Sequence, residues 1–250
     1  YCHMEIIAAL LAGSFIGAVL GFIGAGGAML TVPILIYIFN FTPHHATTAS
    51  LAVVFLAASS GVAAKIRSNE VLYRDALVIW SIGLVTNLGF SSVSDQFSEK
   101  FITTGFAIVL IAAGISSLRP PLSEIHKRMP LRSLIFFALL IGSVTGIFGI
   151  GGGFLAIPVL VLFFGTPVNV AAGTSMLIIS LNSLTAFFGH YRMWSEVDWH
   201  IPTAIAITAV IVANLASRAG AFAKPVVMRR AFAALLLTVS LFTLLQTWFG

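Results

Sequence analysis

Two glycine clusters, each followed by a proline, are the motif in this sequence that is most suited to binding a ligand. Residues 21–33 read GFIGAGGAMLTVP and residues 146–158 read GIFGIGGGFLAIP. Glycine clusters break helices, and the helix that follows presents unpaired backbone N–H groups that hold anions well. The alternative is that these glycines only permit close helix packing. The predicted anion-binding glycines are Gly24, Gly26, Gly27, Gly149, Gly151 and Gly152.

Polar side chains in or beside the apolar segments form a second candidate set. Hydroxyl groups near a helix N-terminus either cap the helix or bind a ligand oxygen. An Asn inside an apolar segment either lines a cavity or bonds a neighbouring helix. Cations at the ends of equivalent segments either draw an anion inward or only mark the membrane boundary, which is the interpretation we favour for Lys65. The candidates are Thr48, Ser50, Thr174, Ser175, Asn87, Asn182, Asn214, Arg67 and Arg192.

The acidic residues exclude several kinds of site. All eight Asp and Glu residues lie at the ends of apolar segments or between them. Proton- and sodium-coupled carriers usually place a carboxylate within the membrane, so this pattern argues against cation transport and against an intramembrane aspartyl protease. No set of Cys, His and carboxylate residues has the spacing of a metal site. We expect no metal, no cofactor and no enzyme activity.

The composition assigns these residues to membrane helices. Of the 250 residues, 59% are hydrophobic and 8% are charged, whereas about 25% are charged in soluble domains. So little charge does not cover a water-exposed surface, which excludes most soluble enzymes. The net charge of +5 does not indicate nucleic-acid binding, because the basic residues are scattered between apolar segments. We predict an all-α polytopic membrane protein embedded in the lipid bilayer.

Ten apolar segments follow one another along the chain. A transmembrane helix needs about 20 apolar residues, and the second and seventh segments are shorter and directly follow the glycine clusters. The segments are 6–23, 28–41, 46–64, 76–94, 101–118, 133–149, 153–165, 169–190, 200–221 and 231–249.

The order of motifs predicts an internal repeat of two five-element halves. The glycine clusters lie 125 residues apart, and Thr-Pro at 42–43 and at 166–167 follows them in the same order. We expect Tyr1 to Met4 to be an expression remnant ahead of a native start at Met4. The predicted units are 1–4 as that remnant, 5–118 as the first transmembrane repeat, 119–132 as a cytoplasmic linker and 133–250 as the second transmembrane repeat.

The basic residues predict the orientation of the halves. If every segment crosses the membrane, one side carries all basic residues except Lys100 and Arg192. Because basic loops stay inside the cell, this split predicts both termini outside and a second half inverted relative to the first. A hairpin formed by the first two elements of each half has the same parity, so full crossing by the short segments stays open. The residues on the basic side are Lys65, Arg67, Arg74, Arg119, Lys127, Arg128, Arg132, Arg218, Lys224, Arg229 and Arg230.

The duplicated block from Gly24 to Pro33 and from Gly149 to Pro158, with Ala-Gly-Thr-Ser at 172–175, resembles the TauE/SafE family of sulfite and organosulfonate transporters. The resemblance covers nearly the whole chain. It implies a multi-pass carrier of small sulfur-containing anions in the plasma or inner membrane. The first half departs from the pattern, because Thr-Thr-Ala-Ser at 47–50 replaces Ala-Gly-Thr-Ser. The two halves therefore offer unequal hydroxyl groups.

Three functions remain open at this point. The first is a secondary transporter of sulfite, sulfoacetate or other organosulfonates that alternates access around a midplane site. We expect it to export, since an anion leaving a negative-inside cell gains about 2.3 kcal/mol per charge per 100 mV. The alternatives are a carrier of other small organic anions such as carboxylates and a non-transporting membrane scaffold. The oligomeric state, including a homo-oligomer, also stays open.

Single cysteines test the predicted orientation. In a Cys2→Ser background, a cysteine at position 125 should react only from the cytoplasmic side and one at position 97 only from outside, because basic loops stay inside. Labelling of intact and permeabilised cells with a membrane-impermeant maleimide measures this. Reaction of position 125 in intact cells would reverse the assignment.

Overall fold

The computed structural model describes residues 2–94, 99–118, 130–148, 153–220 and 222–249. Within these ranges the chain forms ten α-helices, one 3-10 turn at Tyr191–Met193 and no β-strand. The helices are α1 (Cys2–Ile23), α2 (Gly27–Tyr37), α3 (Pro43–Arg67), α4 (Tyr73–Ser94), α5 (Glu99–Leu118), α6 (Leu131–Phe148), α7 (Gly153–Phe164), α8 (Val168–Gly189), α9 (His200–Gly220) and α10 (Pro225–Phe249).

These helices confirm the prediction of an all-α polytopic membrane protein. Each of the ten apolar segments became one helix, and at least five of the described helices are long and apolar enough to cross a membrane. Several boundaries differ by a few residues, and the largest difference is at α10. Helix α10 begins at Pro225 rather than at 231, because proline suits the first turn of a helix.

The predicted helix break in the first half is confirmed. Helix α1 ends at Ile23 and α2 begins at Gly27. Between them, Gly24 and Gly26 adopt φ angles of +83° and +91°, which side chains other than glycine rarely tolerate. Helices α2 and α7, with 11 and 12 residues, are the short ones. The second glycine cluster at 149–152 lies outside the described residues.

The most extensive helix contacts join elements that are not adjacent in the chain, and the repeat of two halves stays a prediction. Helix α1 packs along α9, and α6, which holds the same place in the second half, packs along α4. Helices α3 and α8 pack against each other and carry many of the buried residues, so they form the centre of the molecule. The orientation of one half relative to the other stays a prediction.

Glycines bring the backbones of these helix pairs together. A Cβ atom on Gly17 of α1 would lie 2.9 Å from the Cα of Ala209 on α9. A Cβ atom on Gly142 of α6 would lie 2.7 Å from the Cα of Gly83 on α4. Both distances are shorter than real Cβ contacts, so a side chain is sterically excluded at each crossing. Close packing of this kind is the main attraction between helices in lipid, where there is no hydrophobic driving force.

Substitution at one crossing should therefore destabilise the bundle. We expect Gly17→Ala to cost about 1–3 kcal/mol, the usual cost of overpacking, which lowers Tm by roughly 2–4 °C per kcal/mol. Gly189→Ala is the matched control, because nothing lies within 4 Å of the added Cβ there. Thermal unfolding of the detergent-solubilised protein measures both variants. Equal Tm values would show that α1 does not approach α9 so closely.

Candidate functional site

The α1–α2 break lies inside the bundle. Residues 24–27 are buried, and a Cβ atom on Gly24 would lie 2.6 Å from the Cα of Ala172 on α8. A Cβ atom on Gly26 would lie 2.6 Å from Cδ2 of Leu235 on α10. Gly26 is also the N-cap of α2, so no side chain caps this helix. The break thus places an uncapped helix N-terminus among helices of the other half, beside the start of the Ala-Gly-Thr-Ser run.

The predicted hydroxyl groups are buried but already bonded. The hydroxyls of Thr48, Ser50 and Thr174 donate to carbonyl oxygens three or four residues earlier in their own helices, at 3.0, 2.8 and 2.7 Å. Ser175 is fully buried beside Thr174. Thr174 also accepts a hydrogen bond from the backbone N–H of Leu72 at 3.0 Å. In this conformation the three donated protons bond to the backbone, as in the helix-bonding alternative.

Ser59 contacts Ser180 between α3 and α8, and Ser60 contacts Asn214 between α3 and α9; we call these four residues the central polar cluster. The hydroxyls of Ser59 and Ser180 lie 2.7 Å apart. The Ser60 hydroxyl donates to the carbonyl oxygen of Val210 at 2.8 Å, and Asn214 Nδ2 donates to the carbonyl oxygen of Ser60 at 3.0 Å. These contacts join two halves of the chain near the middle of long helices. Sequence analysis identified Asn214 and missed the serines, although a Ser-Ser pair within an apolar segment was a usable signal.

The remaining candidates do not join this cluster. Arg67 and Arg192 are exposed at the ends of their segments, and Arg192 Nε donates to the hydroxyl of Tyr191 at 3.2 Å. Asn182 lies on α8 and is half-buried. Asn87 lies within α4, but its side chain is outside the described residues, as are Gly149, Gly151 and Gly152 in full.

A buried ion pair is the site that sequence analysis missed. Lys65 is 1% exposed, and its Nζ lies 2.6 Å from Oε2 of Glu70. The other carboxylate oxygen of Glu70 accepts a hydrogen bond from Nδ2 of Asn169, the second residue of α8, at 2.8 Å. Removing one partner of such a pair costs about 3–5 kcal/mol, because the other charge is left buried. The Lys65 ammonium group therefore does not reach water as a side chain at the membrane boundary would, and its place on the basic side stays a prediction.

Comparison with known proteins assigns the family. The family profile described as "Sulfite exporter TauE/SafE" matches residues 9–243. The chain belongs to the TauE/SafE family. It is therefore a membrane transporter and not an enzyme.

Relatives of this TauE/SafE protein carry matching descriptions. A "probable membrane transporter protein" of Xylella fastidiosa is 26% identical over 254 residues, covering 98% of this chain and 97% of that protein. The "probable membrane transporter protein YunE" of Bacillus subtilis is 28% identical over 224 residues, covering 78% and 81%. No solved structure matches the chain significantly.

Substitution should be tolerated at Gly27, where α2 begins, but not at Gly24. Gly24→Ala forces a side chain into a left-handed conformation, which costs about 1–2 kcal/mol, and drives its Cβ into the backbone of Ala172. Gly27→Ala is the matched control, because its Cβ meets only the flexible side chain of Leu20, at 3.2 Å. We expect Gly24→Ala to lower the Tm and the amount of folded protein in membranes, and Gly27→Ala to change both little. A Gly24→Ala protein as stable as Gly27→Ala would rule out this packing of the break.

Proposed function

We propose that this TauE/SafE protein exports small sulfur-containing anions, such as sulfite, sulfoacetate or other organosulfonates, by alternating access. The substrate site comprises the central polar cluster and the α1–α2 break. The two halves form an inverted repeat in the plasma or inner membrane, with both termini outside. The main support for this substrate class is the match of a sulfite-exporter family profile to residues 9–243.

The chemistry of the central polar cluster supports an anionic substrate. Its four members are neutral hydroxyl and amide groups, and such groups stabilise an anion through donated hydrogen bonds. The Asn214 amide carries two N–H donors. One of them bonds Ser60, and within the described ranges the second has no acceptor, so it is available to a ligand oxygen. The uncapped N-terminus of α2 adds a partial positive charge, which also favours an anion.

The energy for export is available without a proton relay. The membrane potential drives each negative charge outward with about 2.3 kcal/mol per 100 mV. A carrier that moves an anion alone therefore needs no titratable residue at its centre, and the central polar cluster contains none. The proposal thus predicts electrogenic transport.

Flux measurements in proteoliposomes test the proposal. We expect vesicles loaded with radiolabelled sulfite or sulfoacetate to release it only when they contain the protein, and faster when the potential is negative inside, because the substrate is an anion. Excess acetate and taurine are the competitors. Release blocked by acetate but not by sulfonates would favour a carboxylate carrier. Absence of any anion flux would overturn the proposal and favour a membrane scaffold.

A variant of the central polar cluster tests the site itself. Asn214→Leu removes a hydrogen bond to a charged ligand, worth about 1.5–3 kcal/mol, so we expect sulfoacetate flux to fall roughly tenfold or more. Thr203→Val is the matched control on the same helix, because its hydroxyl bonds only the Trp199 carbonyl oxygen in its own helical turn. If both variants transport like the unmodified protein, Asn214 does not contact the substrate.

A further inference from the structure

Two contacts join the halves at repeat-related places. The loop after α3 contacts the start of α8, and the loop after α8 contacts the start of α3. The loops share a motif, since Glu70-Val71 in the first corresponds to Glu196-Val197 in the second. We call the first contact the Lys65 latch, formed by Lys65, Glu70, Leu72, Asn169 and Thr174. We call the second the His45 latch, formed by His45, Thr48, Met193 and Glu196.

The Lys65 latch is largely buried. Both oxygens of the Glu70 carboxylate are used, one by Lys65 at 2.6 Å and one by Asn169 at 2.8 Å. The backbone of α8 lies directly against it, since a Cβ atom on Gly173 would lie 3.2 Å from the Cβ of Lys65. Glu70 therefore neutralises a buried cation in its own half while it bonds the other half.

The His45 latch has the same plan but is exposed. His45 Nε2 and Glu196 Oε2 are 3.6 Å apart, and their side chains are 29% and 63% exposed. His190 holds the position equivalent to Lys65, yet its Nδ1 lies 2.8 Å from the Ala186 carbonyl oxygen instead of bonding Glu196. This latch thus contains no buried cation that needs a counter-charge.

We propose that Lys65 is an anion-binding residue, and that a substrate anion opens the Lys65 latch by replacing the Glu70 carboxylate on the Lys65 ammonium group. The inference rests on the proposed function, because it assigns one step of anion transport. Lys65 needs one negative partner while it is buried, and either Glu70 or an oxyanion meets that need. When an oxyanion takes the place, the Glu70 carboxylate loses its cation and does not stay buried.

Release of Glu70 has a structural consequence. The same carboxylate bonds Asn169, and the next residues lead to the Leu72–Thr174 hydrogen bond. Movement of Glu70 into water therefore separates the loop at 68–72 from α8. An anion that binds only this open form shifts the population toward it. The ligand class is a small anion with an exposed oxyanion group, such as a sulfonate or sulfite, because one such group takes the place of the Glu70 carboxylate on the ammonium group.

A cysteine in each loop reports whether its latch is open. Val71 is 8% exposed and Val197 is 6% exposed, so Val71→Cys and Val197→Cys are a matched pair. Both are made in a Cys2→Ser background, which removes the single native cysteine. The purified proteins are placed in nanodiscs, so that both faces are accessible. The rate of maleimide labelling is then measured in sulfoacetate, acetate or chloride, with gluconate holding the ionic strength constant.

We expect an anion response at position 71 and none at position 197. At a sulfoacetate concentration about ten times its Kd for the open form, labelling of Val71→Cys should rise roughly tenfold. The Val71→Cys response should survive Lys65→Arg, which keeps the charge. It should disappear in the double variant Lys65→Met/Glu70→Gln, which removes both charges and leaves none unpaired. Glu70→Gln alone should lower the half-maximal anion concentration, because the competing carboxylate is gone.

Other results overturn the inference. Labelling of Val71→Cys that no anion changes would make the Lys65 latch a fixed structural ion pair. An equal response of Val197→Cys, or a response that persists in the double variant, would show that anions act elsewhere. These readouts do not require flux. A protein that labels as expected but moves no anion across proteoliposomes would disprove the proposed function while supporting anion binding at Lys65.

Discussion

The close approach of α1 to α9 is the constraint on which the rest of the described structure depends. In lipid, helices gain little from hydrophobic burial against each other, so backbones must come close enough for direct contact. Gly13, Gly17 and Gly21 provide that contact along one face of α1. The stripe ends one turn before Gly24, where the helix breaks. Packing of α1 thereby fixes where the uncapped start of α2 lies.

Some polar groups in the interior bond within their own helix, and others bond across helices from one half to the other. Ser59 meets Ser180, Asn214 meets the backbone of α3, and the Ser217 hydroxyl donates to the Gly21 carbonyl oxygen at 3.1 Å. An unpaired polar group in a bilayer costs several kcal/mol, so each of these bonds also specifies one arrangement of the helices. Hydroxyl and amide groups exchange such partners more easily than charges do, which suits the centre of a carrier that must change shape.

The two latches show how two similar contacts acquire different properties. Both place a glutamate from one half against the first turns of a long helix in the other half. A lysine in one copy and a histidine in the other change the physical character of the contact. The buried pair holds tightly, because separating it strands a charge, whereas the exposed pair is screened by water and contributes little. In the proposed cycle, this difference in burial lets the Lys65 latch respond to an anion while the His45 latch opens freely.

Residue types and their spacing determined the class of the protein. Scarcity of charge predicted a membrane protein, apolar runs predicted all ten helices, and the first glycine cluster predicted the break at Gly24. These properties depend on neighbours along the chain, so they can be read from it. Only the tertiary structure decided which side chains meet. Lys65 and Asn169 are about a hundred residues apart, yet both contact Glu70, and the serines of the central polar cluster come from distant helices. No local pattern predicts such contacts, because they depend on how the helices cross.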